Sequence, residues 1–281
     1  ASAPSVIEFS STYRVSRHHA RGGLGDVFVA RDQDLGRDVA MKMIRGELLA
    51  VPEIGRRFLR EARITARLGH PGIVPVFGFG RTAEGRPCYA MRYIEGVSLR
   101  AAIERYHDTE ARGGDRRDRA LEFRGLLSRL VAVCQTLAFA HSRGVIHRDI
   151  KPDNILLGPY QETLVVDWGL ARQESDEGAE PDVPRLAERV EDDDAATLAG
   201  STFGTIGYMS PEQAAGRWGE VGPRSDVFSL GATLYLLLTG RPAFPDRAAF
   251  FERVRRGEFA PPRQVRPDVP HGLQAVCLKA M

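Results

Sequence analysis

The hydrophobic pattern of the chain changes its period once, and this change constrains the fold more than any other feature. From Tyr13 to Tyr93 apolar residues occur in short β-rich runs separated by turns, a pattern typical of antiparallel strands. From Ser98 onward longer stretches follow the spacing of helices. The sequence therefore predicts an α+β chain with two lobes: a small antiparallel β lobe over 13–95 and a larger, mainly helical lobe over 96–281.

Individual elements can be placed within each lobe. One main helix is predicted over 52–69 of the first lobe, because an apolar stripe runs between its arginines. In the second lobe, an apolar stretch over 123–144 predicts a helix stopped by Gly144. Another runs from Ser225 or Asp226 to Gly240 and is apolar nearly all round, so it is expected to be buried. The predicted strands span 13–20, 26–32, 37–44, 72–82 and 87–94.

Three segments lie outside this pattern. Residues 1–12 are predicted to be an extension that precedes the folded domain. The charged stretch 105–123 predicts a surface excursion before the long helix. The acidic stretch 174–201 is poor in large apolar residues and predicts a mobile loop.

Composition excludes several classes of function. The net charge of +2, from 39 basic and 37 acidic side chains, provides no general attraction for nucleic acid or an anionic membrane. The three cysteines lack the spacing of a disulfide framework or a zinc site. No signal peptide is predicted at the N-terminus, and the apolar run 230–240 is too short to span a bilayer. We expect a cytoplasmic chain, or the cytoplasmic domain of a larger, membrane-tethered protein, without nucleic-acid or membrane contact in this segment.

Polar residues stand between two apolar flanks in VIHRDIKPDNILL, Val145–Leu157. A buried polar cluster is costly unless its members are paired or bind a charged group. Asp149 and Asn154 offer oxygen atoms that suit magnesium, as does Asp167 after the strand ETLVVDWG, while Lys151 suits a phosphate. The alternative is an ion-pair network that caps the helical lobe.

A second anion site is indicated by ARGGLGDVFVA, near the start of the chain. Glycines between two strands allow backbone N–H groups to approach an anion closely, although a glycine-containing hairpin is an equally common explanation. Lys42 in VAMKMI is flanked by apolar residues and needs a partner, which Glu61 on the predicted helix could supply.

Five blocks that occur in order resemble those of the bacterial eukaryotic-like (Hanks-type) serine/threonine protein kinases: RGGLGDV, VAMK, HRDIKPDN, DWG and GTIGYMSPE. The resemblance runs from Tyr13 to the end and implies the bilobal protein kinase fold over 13–281. It also implies transfer of the γ-phosphate of ATP to hydroxyls of protein substrates, with Mg²⁺, or Mn²⁺ as an alternative, and autophosphorylation of the activation loop. The second lobe is expected to be truncated at its C-terminal end, because Met281 precedes the region that usually supplies an arginine partner for Glu212.

The same resemblance implies roles for individual residues. Lys42 would hold the nucleotide phosphates in an orientation set by Glu61. Asp149 would accept the proton of the substrate hydroxyl or orient that hydroxyl, and Lys151 would stabilise the transferring phosphate. The implied metal ligands are Asn154 and Asp167. The nucleotide phosphates are expected to be covered by the backbone of Gly22, Gly23 and Gly25. The adenine is expected to contact Val27, Ala40, Met91, Ile94 and Leu156.

Regulation is predicted to involve Arg148, which needs a counter-anion, and by resemblance Arg172 as a second basic group; the alternative is a constitutively solvated Arg148. By resemblance, a phosphate on the activation loop would bridge them, and its candidate positions are Thr197, Ser201 and Thr202. A hypothesis specific to this sequence is that the acidic run 191–194 occupies the arginines without phosphorylation. Thr205 and Lys151 indicate the serine/threonine type, and Asp153 would favour a basic residue near the acceptor.

Several positions depart from the family pattern: His19 and Ala20 in the glycine loop, Trp168 in place of phenylalanine, and Ser210 in place of alanine. The principal alternative is a pseudokinase that acts as a nucleotide-binding or scaffolding module, and a small-molecule kinase of the aminoglycoside type is a third. A transient homodimer is a candidate partner, because autophosphorylation between two copies would require one.

Overall fold

The computed structural model of the chain describes residues 12–22, 24–111, 113, 115–173, 207–245 and 249–281. These residues form two compact units. The first unit runs to Glu95 and also takes in Asp167–Leu170, whereas the second consists of Gly96–Val166 and Ala171–Met281. The chain therefore returns to its first unit for one short turn.

A five-stranded antiparallel sheet forms the first unit, in the order β1-β2-β3-β5-β4. Its strands are β1 (Tyr13–Arg21), β2 (Gly25–Asp32), β3 (Arg37–Ile44), β4 (Val76–Arg81) and β5 (Pro87–Arg92). β3 is central and is buried from Val39 to Ile44, while the edge strand β1 is mostly exposed and carries charged residues that protect an open edge. All five predicted strands are present.

The main helix of this unit is α1 (Pro52–Arg67), as predicted. Proline suits the first position of a helix, because the N–H that it lacks would have no partner there. Phe58 and Ala62 on the buried face pack against Ile44 and Tyr89 of the sheet. This packing fixes the face of α1 that also carries Glu61, which is 2% exposed.

Helices dominate the second unit, which confirms the predicted α+β class. They are α2 (Leu99–Ala111), α3 (Arg116–Ser142), α4 (Pro211–Ala214), α5 (Pro223–Thr239), α6 (Phe250–Arg256), α7 (Pro262–Val265) and α8 (His271–Ala280). α5 is buried along most of its length, as its all-round apolar pattern predicts. α8 packs closely on it: a Cβ at Gly231 would lie 2.7 Å from the Cγ atom of Met281.

Short strands frame the loop 147–154 in the second unit. β6 (Val97–Ser98), β8 (Ile155–Leu157) and β9 (Thr163–Val165) form a three-stranded sheet, and β7 (Val145–Ile146) pairs with β10 (Arg172–Gln173). The loop therefore begins at the end of one short strand and ends at the start of another. Both of its ends are fixed by backbone hydrogen bonds.

Helix boundaries differ from the prediction at two places. The stretch 105–123, predicted as a surface excursion, lies largely at the surface but is mostly helical, because α2 continues to Ala111 and α3 begins at Arg116. The charges of this stretch lie largely on exposed helix faces, and the Asp115 side chain caps α3 by accepting from the Arg117 N–H over 2.6 Å. α5 begins at Pro223, earlier than predicted, but ends before Gly240 as expected, where φ is +73°.

The predicted mobile loop over 174–201 and almost all of the predicted extension over 1–12 lie outside the described residues.

Among the described residues, α3 is the one helix long and apolar enough to span a membrane by length and composition, which alone is a weak indication. The sequence predicted a helix over 123–144, but the prediction about membrane spans rested on the shorter run 230–240 alone. Leu130, Val133 and Leu137 of α3 are buried within the second unit. The absence of membrane contact in this segment stays a prediction.

Candidate active site

An ion group within the first unit joins Lys42 of β3, Glu61 of α1 and Asp167. The Nζ atom of Lys42 lies 2.5 Å from Oε1 of Glu61 and 3.3 Å from Oδ1 of Asp167. The Lys42 and Glu61 side chains are 7% and 2% exposed. Charges buried to this extent need partners, because desolvation costs several kcal/mol per ion.

Electrostatics keep Lys42 charged. Burial alone would lower the pKa of Lys42, but the carboxylates of Asp167 and Glu61 outweigh it and hold that pKa well above its ordinary value. Burial raises the pKa of the Glu61 carboxyl, and Lys42 opposes this rise. A lysine that is cationic throughout the neutral pH range can bind a phosphate group.

Asp167 begins the turn that returns to the first unit. Its φ is +64°, and it precedes the 3₁₀ turn Trp168–Leu170, which packs against α1. The Trp168 side chain is 1% exposed, so this departure from the family pattern is accommodated within the unit. A Cβ at Gly169 would lie 3.2 Å from Oε2 of Glu61, so a larger residue there would press on the Glu61 carboxylate.

The glycine loop lies between β1 and β2. The Gly22 N–H donates to the Gly25 carbonyl over 2.9 Å. A Cβ at Gly25 would lie 2.4 Å from the Met43 carbonyl oxygen of β3, so no side chain fits there. Gly23 lies outside the described residues.

Four of the five residues predicted to contact adenine lie in the first unit. Val27 pairs with Lys42 across β2 and β3, and Ala40 pairs with Met91 across β3 and β5. Ile94 follows β5 and is half-buried. Leu156 lies on β8 of the second unit.

The loop 147–154 brings Asp149, Lys151 and Asn154 together. The Lys151 ammonium lies 2.9 Å from Oδ2 of Asp149, and Nδ2 of Asn154 donates to the Asp149 carbonyl over 2.8 Å and to its Oδ2 over 3.0 Å. The Asp149 N–H donates to Nδ1 of His147, whose Nε2 lies 3.1 Å from the Val166 carbonyl oxygen. These contacts assign the neutral His147 tautomer with its proton on Nε2.

Asp226 of α5 organises the backbone of this loop. Its side chain is fully buried and accepts from the N–H groups of His147 and Arg148 over 2.9 and 2.8 Å, and it lies 2.8 Å from Nε2 of His141. From the sequence, Asp226 was predicted only as a possible helix start, and this role was not predicted. The available signal was an acidic residue at the start of a helix that is otherwise apolar nearly all round.

The backbone of Arg148 is held from both sides. Its φ is +69°, a region that costs a residue with a Cβ about 1–2 kcal/mol. Asp226 accepts from its N–H, and Nε2 of Gln213 donates to its carbonyl over 2.8 Å. Gln213 is fixed by a capping box with Ser210, which gives the serine at this position a structural role.

The Asp153 carboxylate forms a salt bridge with Arg100. Nε of Arg100 donates to both carboxylate oxygens of Asp153 over 2.8 Å. Nη2 of Arg100 donates to the Tyr208 hydroxyl over 3.1 Å. The sequence predicted that Asp153 would favour a basic residue of the substrate. In the structure its charge is already compensated by Arg100.

Of the predicted regulatory residues, Arg148 and Arg172 are among those that the structure describes. Arg148 is 8% exposed. Arg172 lies on β10 opposite Ile146 of β7, the strand that leads to Arg148. The positions Thr197, Ser201, Thr202 and Thr205 and the acidic run 191–194 lie outside the described residues.

Comparison with known sequences defines the class of protein to which this sheet, helical unit and ion group belong. Residues 13–270 match the family described as Protein kinase domain. Because this match covers most of the chain and both units, the chain belongs to the protein kinase family. This confirms the bilobal kinase fold that the sequence motifs implied.

Among individual proteins, the chain is 37% identical over 278 residues to Serine/threonine-protein kinase PknB of Mycolicibacterium smegmatis, covering 97% of this chain and 40% of that protein. It is 34% identical over 281 residues to Serine/threonine-protein kinase PknD of Protochlamydia amoebophila, covering 97% and 28%. A PknD of Chlamydia pneumoniae is 36% identical over 274 residues, covering 96% and 28%. These likenesses confirm the resemblance to bacterial serine/threonine kinases, although the chain spans well under half the length of these relatives.

Proposed function

We propose that this chain is the catalytic domain of a serine/threonine protein kinase that transfers the γ-phosphate of ATP to hydroxyl groups of protein substrates. The observation that carries the proposal is the buried Lys42–Glu61 ion pair with Asp167 alongside, in a chain whose second unit holds Asp149 against Lys151. The preference for serine and threonine is supported by Lys151 and by the names of the relatives.

Each residue has a distinct task in this reaction. The oxygen of the substrate hydroxyl attacks the γ-phosphorus, the bond to the β-phosphate oxygen breaks, ADP leaves, and the hydroxyl proton passes to Asp149. Lys42 binds the nucleotide phosphates in an orientation set by Glu61. Lys151 places a positive charge near the transferring phosphate, where negative charge must be stabilised.

Asn154 and Asp167 are the proposed ligands of Mg²⁺, with Mn²⁺ as an alternative. The Asn154 amide nitrogen is occupied by its two hydrogen bonds to Asp149, which leaves its oxygen as the atom for a cation. An amide oxygen and a carboxylate suit this metal, which commonly takes one or two carboxylates and completes its shell with water and substrate phosphates. When bound, the metal supplies positive charge that offsets the charge of the phosphates.

The remaining binding roles are proposed by resemblance. Gly22, Gly23 and Gly25 would cover the phosphates with backbone. The adenine would contact Val27, Ala40, Met91, Ile94 and Leu156.

We also propose that activity is regulated by phosphate on the segment before Ser210. A phosphate on Thr197, Ser201 or Thr202 would bridge Arg148 and Arg172. Before phosphorylation, the acidic run 191–194 would offset the positive charge of the two arginines more weakly. Thr205, in the same segment, is a further proposed regulatory residue. A transient homodimer would allow one copy to phosphorylate another, and the cytoplasm, where ATP is abundant, is the proposed location.

The test is phosphopeptide mapping and intact mass after incubation with Mg²⁺ and ATP. The native chain should acquire phosphate on serine or threonine and should phosphorylate a generic protein substrate, whereas Asp149→Asn should lose activity by several orders of magnitude. Asp38→Asn makes the same chemical change at a half-exposed position on β3 and should retain activity.

Three other outcomes would contradict the proposal. Intact nucleotide binding without transfer to any protein would indicate a pseudokinase. Phosphate on small hydroxylated compounds alone would indicate a small-molecule kinase. Equal transfer by the native chain and Asp149→Asn would remove Asp149 from the reaction.

A further inference from the structure

Tyr89 lies on β5 next to Lys42 and on the same face of the sheet. The two residues are register partners across β3 and β5. Tyr89 is 2% exposed, and its ring packs against Phe58 of α1 with ring centroids 5.2 Å apart. Tyr89 therefore connects the strand pair that carries Lys42 to the helix that carries Glu61.

The Tyr89 hydroxyl shares an acceptor with Lys42. It donates to Oε1 of Glu61 over 2.7 Å, and Lys42 approaches the same oxygen to 2.5 Å. The other oxygen, Oε2, is buried and has no hydrogen-bond partner within the described part of the chain. Both donors therefore act on one oxygen, and together they fix the rotation of the carboxylate.

Removing the hydroxyl would leave Lys42 as the single side-chain donor to the Glu61 carboxylate within the described residues. A carboxylate held by a single donor can rotate, and its unpartnered oxygen would compete for the Lys42 ammonium. Hydrogen bonds to an ionised group are among the stronger ones in proteins, so loss of this one should be measurable.

We propose that Tyr89 is a positioning residue, which holds Glu61 in the orientation that aims Lys42 at the nucleotide phosphates. The inference rests on the proposed function, and it assigns Tyr89 no contact with substrate. Its effect on the reaction must therefore pass through Glu61, which makes the two residues energetically coupled.

A double-mutant cycle tests this coupling. kcat and KM for ATP are measured for the native chain, Tyr89→Phe, Glu61→Gln and the double variant. Tyr89→Phe keeps the ring against Phe58 and should lower kcat/KM by about tenfold, the factor expected when one hydrogen bond to a charged group is lost. In the Glu61→Gln background the same change should alter kcat/KM by less than about twofold, because the group on which Tyr89 acts is already altered.

A second measurement does not depend on catalysis. Amide hydrogen exchange of α1 should be several-fold faster in Tyr89→Phe than in the native chain, because Glu61 is less firmly held. Tyr235→Phe is the matched control, since Tyr235 is an equally buried tyrosine that lies on α5 of the second unit and packs against Phe259. It should change neither the exchange of α1 nor the kinetics.

Two results would overturn the inference. One is an equal loss of kcat/KM in both backgrounds, which would assign Tyr89 a packing role. The other is unchanged exchange of α1 in Tyr89→Phe. If the native chain transfers no phosphate, the proposed function fails, and the exchange experiment still decides the role of Tyr89.

Discussion

Replacing Asp226 by alanine should destabilise the second unit and disable the loop that carries Asp149. The Asp226 carboxylate accepts from two buried backbone N–H groups, those of His147 and Arg148, and also contacts His141. A buried donor left without its acceptor costs about 1–3 kcal/mol, so the two N–H groups together should cost about 2–6 kcal/mol of unfolding free energy. That is a large part of the stability of a typical domain, about 5–15 kcal/mol.

Urea unfolding followed by circular dichroism would measure this loss. Activity should also fall by about a hundredfold or more, because small displacements of a catalytic group have effects of that size. Thr233→Ala is the control: Thr233 is fully buried on the same helix, and its hydroxyl donates only to the Ser229 carbonyl of that helix. The control should cost about 1 kcal/mol at most and should leave activity unchanged. An Asp226→Ala variant within about 1 kcal/mol of the native chain, with its activity intact, would refute the reasoning.

Two further predictions concern thiols and substrate choice. N-ethylmaleimide at pH 8 should label exposed Cys134 first, whereas Cys88 and Cys277 should stay unlabelled until the chain unfolds, because burial blocks access and raises their pKa values to about 11 and about 12. Mass spectrometry of labelled peptides checks this, and labelling of Cys277 in the folded chain would contradict it. Arg100→Ala should release the Asp153 carboxylate and strengthen the preference for peptides with a basic residue near the acceptor, by up to about fivefold on a peptide array. An unchanged preference would mean that Asp153 does not face the peptide.

The strands and the main helix of the first unit could be predicted from the sequence, because local hydrophobic patterns identify them. β3 was placed over 37–44, its observed span, since a continuous apolar run bounded by turns identifies a central strand. Lys42 was singled out for the same reason: a charged residue among buried neighbours requires a partner, and the next helix carried a glutamate.

Long-range contacts were the part that the sequence did not reveal. The Asp226 carboxylate binds backbone 79 positions away and Tyr89 binds Glu61 across 28 positions, and local sequence patterns do not identify the partner in either contact. The helical parts of 105–123, at the end of α2 and the start of α3, were missed for a different reason. Most of its surface faces solvent, so charged residues outnumber the few apolar ones, such as Tyr106, that mark its buried side.

The return of Asp167–Leu170 to the first unit affects the order in which the chain can fold during synthesis. A ribosome that has released the chain up to Glu95 has supplied all five strands and α1, together with both members of the Lys42–Glu61 pair. Asp167 follows Lys42 by 125 positions, which corresponds to about 6–25 s of translation at typical rates. During that interval Lys42 lacks one of its two carboxylate partners, so the nascent first unit remains electrostatically incomplete until much of the second unit has been made.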